Sequence, residues 1–352
     1  LLLDAVDQHK ALSQGSSAES WIADSQFCYA YRDHKAFQKD RYAWDLKQAA
    51  GLVPNVLSGP DVQDAEPALG PAIQCLAILK GQGHILNPLG YVTALAKAFE
   101  AQGGVFRQTS VTGFEKQNGR IRSVLTEGGP IDCDKAVITA GIWSKEVMGK
   151  LGLHIPLETE RGYHVMFKNP SQMPRNPMMM TTGKFGVTPM QDGLRCAGTV
   201  EFGGIKLGPS KAPIQLLRRR MAEAFPQMTY DSSEEWMGFR PSTPDSLPLI
   251  GELASSGIYT AFGHQHVGTM RARCVRNRRK CNSSIMCWPM RARCVRNRRK
   301  CNSSIMFWTM RAQCVRNRRK CNSSIMFWTM RARCVKNRRK CNSSIMFWTM
   351  RA

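Results

Sequence analysis

The stretch that decides the fold is residues 238–269, GFRPSTPDSLPLIGELASSGIYTAFGHQHVGT. Near its start Arg240 stands between a phenylalanine and a proline, and its end is a strand-like run followed by a loop of glycines and histidines. An arginine fixed by its neighbours is a planar fork that binds a carboxylate bidentately. Glycines at the end of a buried strand let backbone N–H groups approach a flat ligand. The alternatives are a surface ion pair for Arg240 and an ordinary strand end for the loop.

Two motifs in this stretch carry a family resemblance. The run RPSTPD at residues 240–245, followed by GHQHVG at residues 263–268, resembles the C-terminal signature of FAD-dependent D-amino-acid dehydrogenases and their oxidase relatives, the DAO family. The resemblance implies that Arg240 binds the substrate carboxylate and that the loop lies beside the flavin ring. The cofactor contacts implied in the loop are Gly263, His264, Gln265, His266, Val267 and Gly268. Two histidines at this spacing, with no carboxylate nearby, do not predict a metal site.

Residues 84–154 predict the middle of a dinucleotide-binding fold. Asn87 and Pro88 mark the start of a helix that ends at a pair of glycines. A strand is expected at residues 105–108, and the Asn118-Gly119 pair predicts a β-hairpin. The apolar run at residues 136–139 predicts a strand buried on both faces, with a helix at residues 145–151. The predicted apolar stripe of the first helix is Leu89, Val92, Leu95, Ala96 and Phe99.

The resemblance extends to this segment. Residues 136–144 are similar to the family's strand that ends beside FAD, which implies cofactor contacts at Ala140, Gly141 and Trp143. Val111 stands where the family places a backbone contact to the adenine part of the cofactor. A tight strand-to-helix turn without a cofactor role is the alternative for Ala140 and Gly141.

Residues 155–240 predict an antiparallel sheet with a covering helix, the pattern of a substrate domain. The helix has one apolar face that includes Ile214, Leu217 and Met221. Tyr163 is a candidate for the wall of the substrate pocket, and a core aromatic is the alternative. Three consecutive arginines at residues 218–220 are interpreted as a solvated helix face rather than a nucleic-acid patch.

The remaining segments complete the predicted organisation. Residues 1–83 are interpreted as a partial helical and substrate-domain segment, with helix favoured over residues 1–50 and a strand at 73–79. Residues 241–270 return to the FAD-binding domain. The predicted fold class is α/β, and α+β overall. It comprises an incomplete FAD-binding dinucleotide fold interleaved with an antiparallel substrate sheet, and an irregular repeat tail at residues 271–352.

The sequence departs from the family pattern at both ends. No G-x-G-x-x-G turn for a cofactor pyrophosphate is present, and the sequence begins without methionine. We therefore expect a truncated chain in which the strand at residues 136–139 has lost a neighbour and apolar surface is exposed. After residue 270, where the family has a closing helix, a 20-residue unit resembling RARCVRNRRKCNSSIMFWTM occurs four times.

The repeat tail carries the whole net charge of +24. It holds 24 of the 50 basic residues and no acidic ones. Residues 1–270, called the body below, contain 26 basic and 26 acidic residues, so their charges sum to zero. The charge therefore indicates nothing about the partners of the body. Three interpretations of the tail remain: an arginine- and tryptophan-based surface for nucleic acid or anionic membrane, a solenoid, or translated tandem-repeat DNA. The near identity of the units favours the last.

Cysteine usage divides the chain in the same way. The body has four cysteines without paired spacing, as expected in a reducing compartment, and the tail has the other nine of the 13. The start of the sequence lacks the apolar segment of a secretion signal, and no run approaches the roughly 20 apolar residues of a membrane span. The expected location is the cytoplasm, with the periphery of the inner membrane as the alternative.

These observations favour FAD-dependent oxidation of the C–N bond of a D-amino acid or related amine, by hydride transfer to the flavin, impaired in a truncated chain. The expected partners are the small-molecule substrate and an unidentified electron acceptor, with nucleic acid bound only non-specifically by the tail. The alternative is a basic repeat protein that binds nucleic acid or anionic surfaces and carries a non-catalytic remnant.

Overall fold

The computed structural model describes residues 4–267. The predicted repeat tail at residues 271–352 lies outside the described residues. The helices of the described part are α1 (Ala5–Ser13), α2 (His34–Lys39), α3 (Arg41–Ala49), α4 (Pro60–Ala65), α5 (Pro88–Ala101), α6 (Ser144–Gly149) and α7 (Lys211–Ala224). Its strands are β1 (Ile22–Tyr31), β2 (Asn55–Ser58), β3 (Cys75–Ile85), β4 (Val111–Gln117), β5 (Arg120–Thr126), β6 (Gly129–Asp132), β7 (Ala136–Ile138), β8 (Glu158–Lys168), β9 (Met178–Met180), β10 (Phe185–Met190), β11 (Gly193–Phe202), β12 (Ser232–Ser242), β13 (Leu249–Glu252) and β14 (Ile258–Phe262). Short 3₁₀ turns occur at Glu19–Trp21, Gly141–Trp143 and Gln265–Val267.

The largest layer is an eight-stranded sheet in the order β12-β8-β11-β10-β9-β1-β3-β2. Its pairs are antiparallel except that of β1 with β9. Side chains alternate between the two faces of each strand, so one face can be buried while the other is available to a ligand. Helices α7 and α4 cover one face, where Leu217 and Met221 pack with Val165 and Phe167 in the main core. This arrangement confirms the predicted covering helix.

Strand β1 corrects the expectation that residues 1–50 are largely helical. Nine of its ten residues pair with β3, and Cys28, Tyr29 and Ala30 also pair with β9 on the other side. Tyr31 in this strand packs with Trp44 of α3, and the Trp44 Nε1–H donates to the Tyr31 hydroxyl at 2.9 Å. Tyr29 and Tyr31 of this strand share a small core with Phe37 and Trp44 of the two helices that follow. The strand forms because tertiary pairing outweighs a weak local periodicity.

Two smaller sheets form the second part of the described chain. One has the order β13-β14-β7, and the other is the antiparallel β4-β5-β6. The predicted hairpin is confirmed, since Asn118 and Gly119 have φ values of 53° and 77° as a type I′ turn requires. Residues 105–108 form no strand, so that prediction is wrong. The segment has no strand partner there, and two of its apolar side chains, Val105 and Phe106, are exposed.

Strand β7 differs from the prediction that both its faces are buried. It lies at the edge of its sheet beside β14, and Val137 is 46% exposed. Helix α5 has the predicted cap, because the Asn87 side chain accepts a hydrogen bond from Gly90 N at 3.0 Å. Its predicted apolar stripe does not face the core: the buried residues are Tyr91 and Ala94, and three stripe members, Leu89, Val92 and Phe99, are exposed.

Candidate functional site

Two 3₁₀ turns meet at one edge of the β13-β14-β7 sheet. Strands β7 and β14 are parallel, so their carboxyl ends lie at the same edge, where open α/β sheets bind ligands. The turn Gly141–Trp143 follows β7, and the turn Gln265–Val267 follows β14. Both turns contact β12, and the Trp143 ring lies edge-on to Phe239 with 6.2 Å between centroids. The fold therefore brings the two predicted cofactor segments next to the strand that carries Arg240.

The loop after β14 is tied to the substrate sheet through Glu160. Gln265 Nε2 donates to Glu160 Oε1 at 2.9 Å, and His266 Nε2 lies 2.9 Å from Glu160 Oε2. Glu160 is buried on β8, where it pairs in register with Arg240 of β12. These contacts place the loop beside the predicted carboxylate site.

Backbone geometry explains part of the loop sequence. Gly263 has φ +82°, and a Cβ there would lie 2.9 Å from Thr243 Cγ2, so glycine is required on both counts. His264 is half-buried, and the backbone of Val267 ends the 3₁₀ turn. The predicted contact at Gly268 lies outside the described residues.

Arg240 is half-buried. Its Nη1 donates to Thr199 O at 3.3 Å, and a Cβ placed on Gly162 would lie only 2.3 Å from its Cζ. Burial lowers the pKa of Arg240 and the Glu160 carboxylate raises it, and a guanidinium remains charged in either case. Within residues 4–267 it forms no ion pair with a carboxylate. Arg240 is thus a cation with donors left for an anionic ligand.

Three neighbours of Arg240 did not emerge from the sequence. His164 of β8 stacks on Trp236 of β12, with ring centroids 5.0 Å apart and an interplanar angle of 22°. Burial and the nearby charge of Arg195 lower the pKa of His164 to about 4, so the imidazole is neutral at pH 7. Burial and the charge of Arg240 also lower the pKa of Arg195. Only the register of β12, β8 and β11 brings these residues together, and sequence spacing does not reveal it.

The structure places Tyr163 elsewhere than predicted. Neighbouring residues of a strand face opposite sides of the sheet, so Tyr163 points away from the face that carries Gly162 and His164. It is 1% exposed in the core beneath α7, donates its hydroxyl hydrogen to Glu201 Oε2 and accepts from Ser210 N at 3.0 Å. The pocket-wall role is therefore wrong, and Tyr163 is a core aromatic with a satisfied hydroxyl.

Val111 begins β4 in the separate antiparallel sheet. Lys150 Nζ, just after α6, donates to Val111 O at 2.6 Å. No hydrogen bond of the described residues joins Val111 to the loop after β14. Its contact to the adenine part of a cofactor stays a prediction.

The described residues fit the ring end of FAD. Gly141 has φ +55° with no heavy atom within 4 Å of a built Cβ, so its backbone is open to a flat ligand. Ser144 directly follows the first turn, and Ser242 ends β12, the strand that both turns contact. Each has a buried hydroxyl oxygen without a hydrogen-bond partner among the described residues. A flavin ring carries both hydrogen-bond donors and acceptors, which suits such hydroxyls. The printed sequence has no glycine-rich turn for the pyrophosphate.

The described residues contain no cluster of three or more histidine, cysteine, aspartate or glutamate side chains suited to a metal ion. None of their helices has the length and hydropathy that crossing a bilayer requires.

Comparison with known proteins agrees with this geometry. The family model described as DAO, FAD dependent oxidoreductase, matches residues 1–272. A D-amino-acid oxidase of Bradyrhizobium diazoefficiens is 36% identical over 273 residues, which cover 76% of this chain and 65% of that protein. A glycine oxidase of Pseudomonas putida is 29% identical over 224 residues, covering 61% of this chain and 60% of that protein. These matches do not support the alternative of a basic repeat protein with a non-catalytic body.

A solved structure gives the same fold. Glycine oxidase from Bacillus cereus matches with a TM-score of 0.66 at 21% identity, covering 76% of this chain and 77% of that one. At this identity the likeness shows the fold alone. The chain spans less than two thirds of the length of the two curated relatives.

Proposed function

The chain belongs to the DAO family of FAD dependent oxidoreductases, and on that premise we propose that it oxidises the C–N bond of a D-amino acid or a related amine. The observation that carries the proposal is Arg240, a half-buried guanidinium without an ion-pair partner in the described part of the chain. It stands beside the loop that follows β14, where Gly263, His264 and Gln265 lie. When bound, the flavin would accept a hydride from the substrate α-carbon.

Arg240 would bind and orient the substrate. Its two Nη atoms suit a bidentate contact with the α-carboxylate, which fixes the α-carbon relative to the sheet edge. The missing side chain at Gly162 supports this role, because any Cβ there would collide with the guanidinium. Orientation contributes several kcal/mol to such a reaction.

Glu160 would hold the loop that follows β14 close to Arg240. Its carboxylate contacts both Gln265 and His266, so one buried anion connects the cofactor loop to the substrate strand. The same carboxylate offsets part of the positive charge around Arg240. Charged groups that are already in position need no rearrangement, and therefore no reorganisation free energy, during the reaction.

The two turns would bind the ring end of FAD. Ala140, Gly141 and Trp143 after β7 would face Gly263 to Val267 after β14, and Val111 would contact the adenine part. Two observations support the arrangement: the open backbone at Gly141 and the unpartnered hydroxyls of Ser144 and Ser242. The small-molecule substrate would enter between these turns and β12.

The names of the relatives support a carboxylate-bearing amine as the substrate. One relative is a D-amino-acid oxidase and another is a glycine oxidase, and both names denote substrates with an α-carboxylate. Arg240 would serve either kind of substrate. The electron acceptor, oxygen or a quinone-linked chain, would be identified by which one reoxidises the reduced flavin.

The proposal is tested with the full 352-residue chain incubated with FAD and freed of excess cofactor. Under anaerobic conditions, D-amino acids or glycine should bleach the visible flavin absorbance. Arg240→Met should abolish bleaching at substrate concentrations that suffice for the wild type, whereas Arg219→Met, on the exposed side of α7, should not. Failure of the chain to retain FAD, or bleaching that survives Arg240→Met, would contradict the proposal.

A further inference from the structure

Two half-buried guanidinium groups share one face of the eight-stranded sheet. Arg240 of β12 pairs in register with Glu160, and Arg195 of β11 pairs with Met166. Glu160 and Met166 are both even-numbered residues of β8, so Arg240 and Arg195 stand on the same face as Gly162 and His164. Their mutual proximity also appears in the electrostatics, since the charge of Arg240 contributes to the lowered pKa of Arg195.

Arg195 lacks the contacts of a structural arginine. Arg161, on the opposite face of β8, shows such contacts: its guanidinium donates to backbone carbonyls of Gly203, Gly204, Leu207 and Gly208 and to Glu201. Arg195 has a buried Nε without a hydrogen-bond partner, and it forms no ion pair in the part of the chain that is described. A buried charge-bearing group without partners is costly, so a ligand that supplies an anion would stabilise it.

The ion pairs of this face leave two cations available. Gln265 and His266 engage Glu160, Lys168 of β8 pairs with Glu234 of β12 at 3.2 Å, and Glu158 at the start of β8 is exposed. Arg240 and Arg195 are left without an ion-pair partner among the described residues. An amino acid with one carboxylate can pair with one of these guanidinium groups, whereas an amino acid with two carboxylates can pair with both.

We propose that this site takes a dicarboxylic amino acid or amine, with Arg240 binding the α-carboxylate and Arg195 the second carboxylate. The inference rests on the proposed function, because it names the substrate class of the same site. It assigns specificity to Arg195, a residue that the sequence motifs around Arg240 do not include. The neutral His164 stacked on Trp236 forms the wall beside Arg195 and adds no competing charge.

The test measures equilibrium binding and needs no turnover. Isothermal titration calorimetry of the FAD-loaded chain compares succinate with butyrate, which has the same number of carbons and one carboxylate. A charge-assisted pair at Arg195 should make succinate bind about tenfold more tightly or better. Arg195→Met should remove that preference and leave butyrate affinity within about twofold, because the first pair at Arg240 remains. The control Arg219→Met should bind both ligands as the wild type does.

A second readout covers the case in which Arg195→Met fails to fold. In wild-type protein, succinate should neutralise Arg195 and raise the NMR-observed pKa of His164, whereas butyrate at saturation should not. Arg195→Lys keeps the charge but loses the planar fork, so it should retain only part of the succinate preference.

The outcomes separate this inference from the proposed function. Equal affinities of succinate and butyrate, or a succinate preference that survives Arg195→Met, would overturn the role of Arg195. If neutral amino acids bleach the flavin and succinate shows no preference, the function stands and the inference fails. If succinate binds through Arg195 but no amino acid bleaches the flavin, the dicarboxylate site stands and the proposed reaction fails.

Discussion

The guanidinium of Arg240 lies directly over Gly162 on the neighbouring strand, and a Cβ on Gly162 would be 2.3 Å from Arg240 Cζ and 2.4 Å from Nη2. The space that a side chain would fill is occupied by the group that we expect to bind the carboxylate. The absence of a side chain at Gly162 therefore determines the position of the Arg240 guanidinium.

Gly162→Ala should displace the Arg240 guanidinium and weaken butyrate binding by about tenfold or more, because a small displacement of an orienting group greatly weakens its contact with the ligand. The long side chain of Arg240 can move, so the free energy of unfolding should change by less than about 1 kcal/mol. Calorimetry and urea denaturation measure the two effects. Gly186→Ala on β10 is the matched control, because its Cβ would make only ordinary contacts of 3.7 Å and 3.9 Å. Unchanged binding in Gly162→Ala would show that the position of Arg240 is not critical.

Arg161→Met should destabilise the fold strongly without acting on the ligand face. Arg161 is 2% exposed, and its loss leaves four backbone carbonyls without this donor and removes the cation that pairs with Glu201. We expect a loss on the order of 3 kcal/mol in the free energy of unfolding, measured by urea denaturation. Arg218→Met, which breaks a surface pair with Glu235, should cost less than about 1 kcal/mol. Similar losses in the two variants would refute the anchoring role of Arg161.

Tyr163→Phe should separate the core role from a pocket role. The Tyr163 hydroxyl bonds to Glu201 and Ser210, so its removal should cost about 1–2 kcal/mol of stability. Succinate and butyrate affinities should stay at wild-type values, because Tyr163 faces away from Arg240. A change in ligand affinity with stability intact would restore the pocket-wall role.

His164 should make stability fall as the solution becomes acidic. Its pKa is lowered from 6.5 in an unfolded chain to about 4 in the fold, so the unfolded state binds the proton first. The contribution to stability is present above pH 6.5 and is lost as the pH falls toward about 4. We expect a loss on the order of 2 kcal/mol, allowing for partial exposure of the ring.

The comparison of wild type with His164→Gln isolates this effect. Urea midpoints measured across that pH range should fall more steeply for the wild type than for the variant. Parallel curves would show that His164 titrates with an ordinary pKa and is not controlled by burial and Arg195.

Local signals in the sequence predicted the parts of the fold that depend on neighbouring residues. The Asn118-Gly119 turn and the Asn87 cap follow from backbone and side-chain chemistry within a few residues. Arg240 was found because its motif is contiguous. These features need no knowledge of which strands pair.

Features that depend on strand pairing were not predictable in the same way. Arg195 and Arg240 are 45 positions apart in the sequence, and only the order β12-β8-β11 brings them together. The face on which Tyr163 stands depends on register, which a shift of one residue reverses. A hydrophobic stripe such as that of α5 indicates a helix face but does not say what covers it, so Leu89 and Val92 can be exposed.

Arg240 is the residue that we propose to anchor the carboxylate of an amine substrate beside FAD. The most direct measurement is anaerobic rapid mixing of the FAD-loaded chain with increasing concentrations of an amino acid that bleaches the wild-type flavin, for wild type and Arg240→Lys. Loss of the planar fork should raise the half-saturating concentration by about tenfold or more. An unchanged half-saturating concentration and bleaching rate in Arg240→Lys and Arg240→Met would contradict the anchoring role of Arg240.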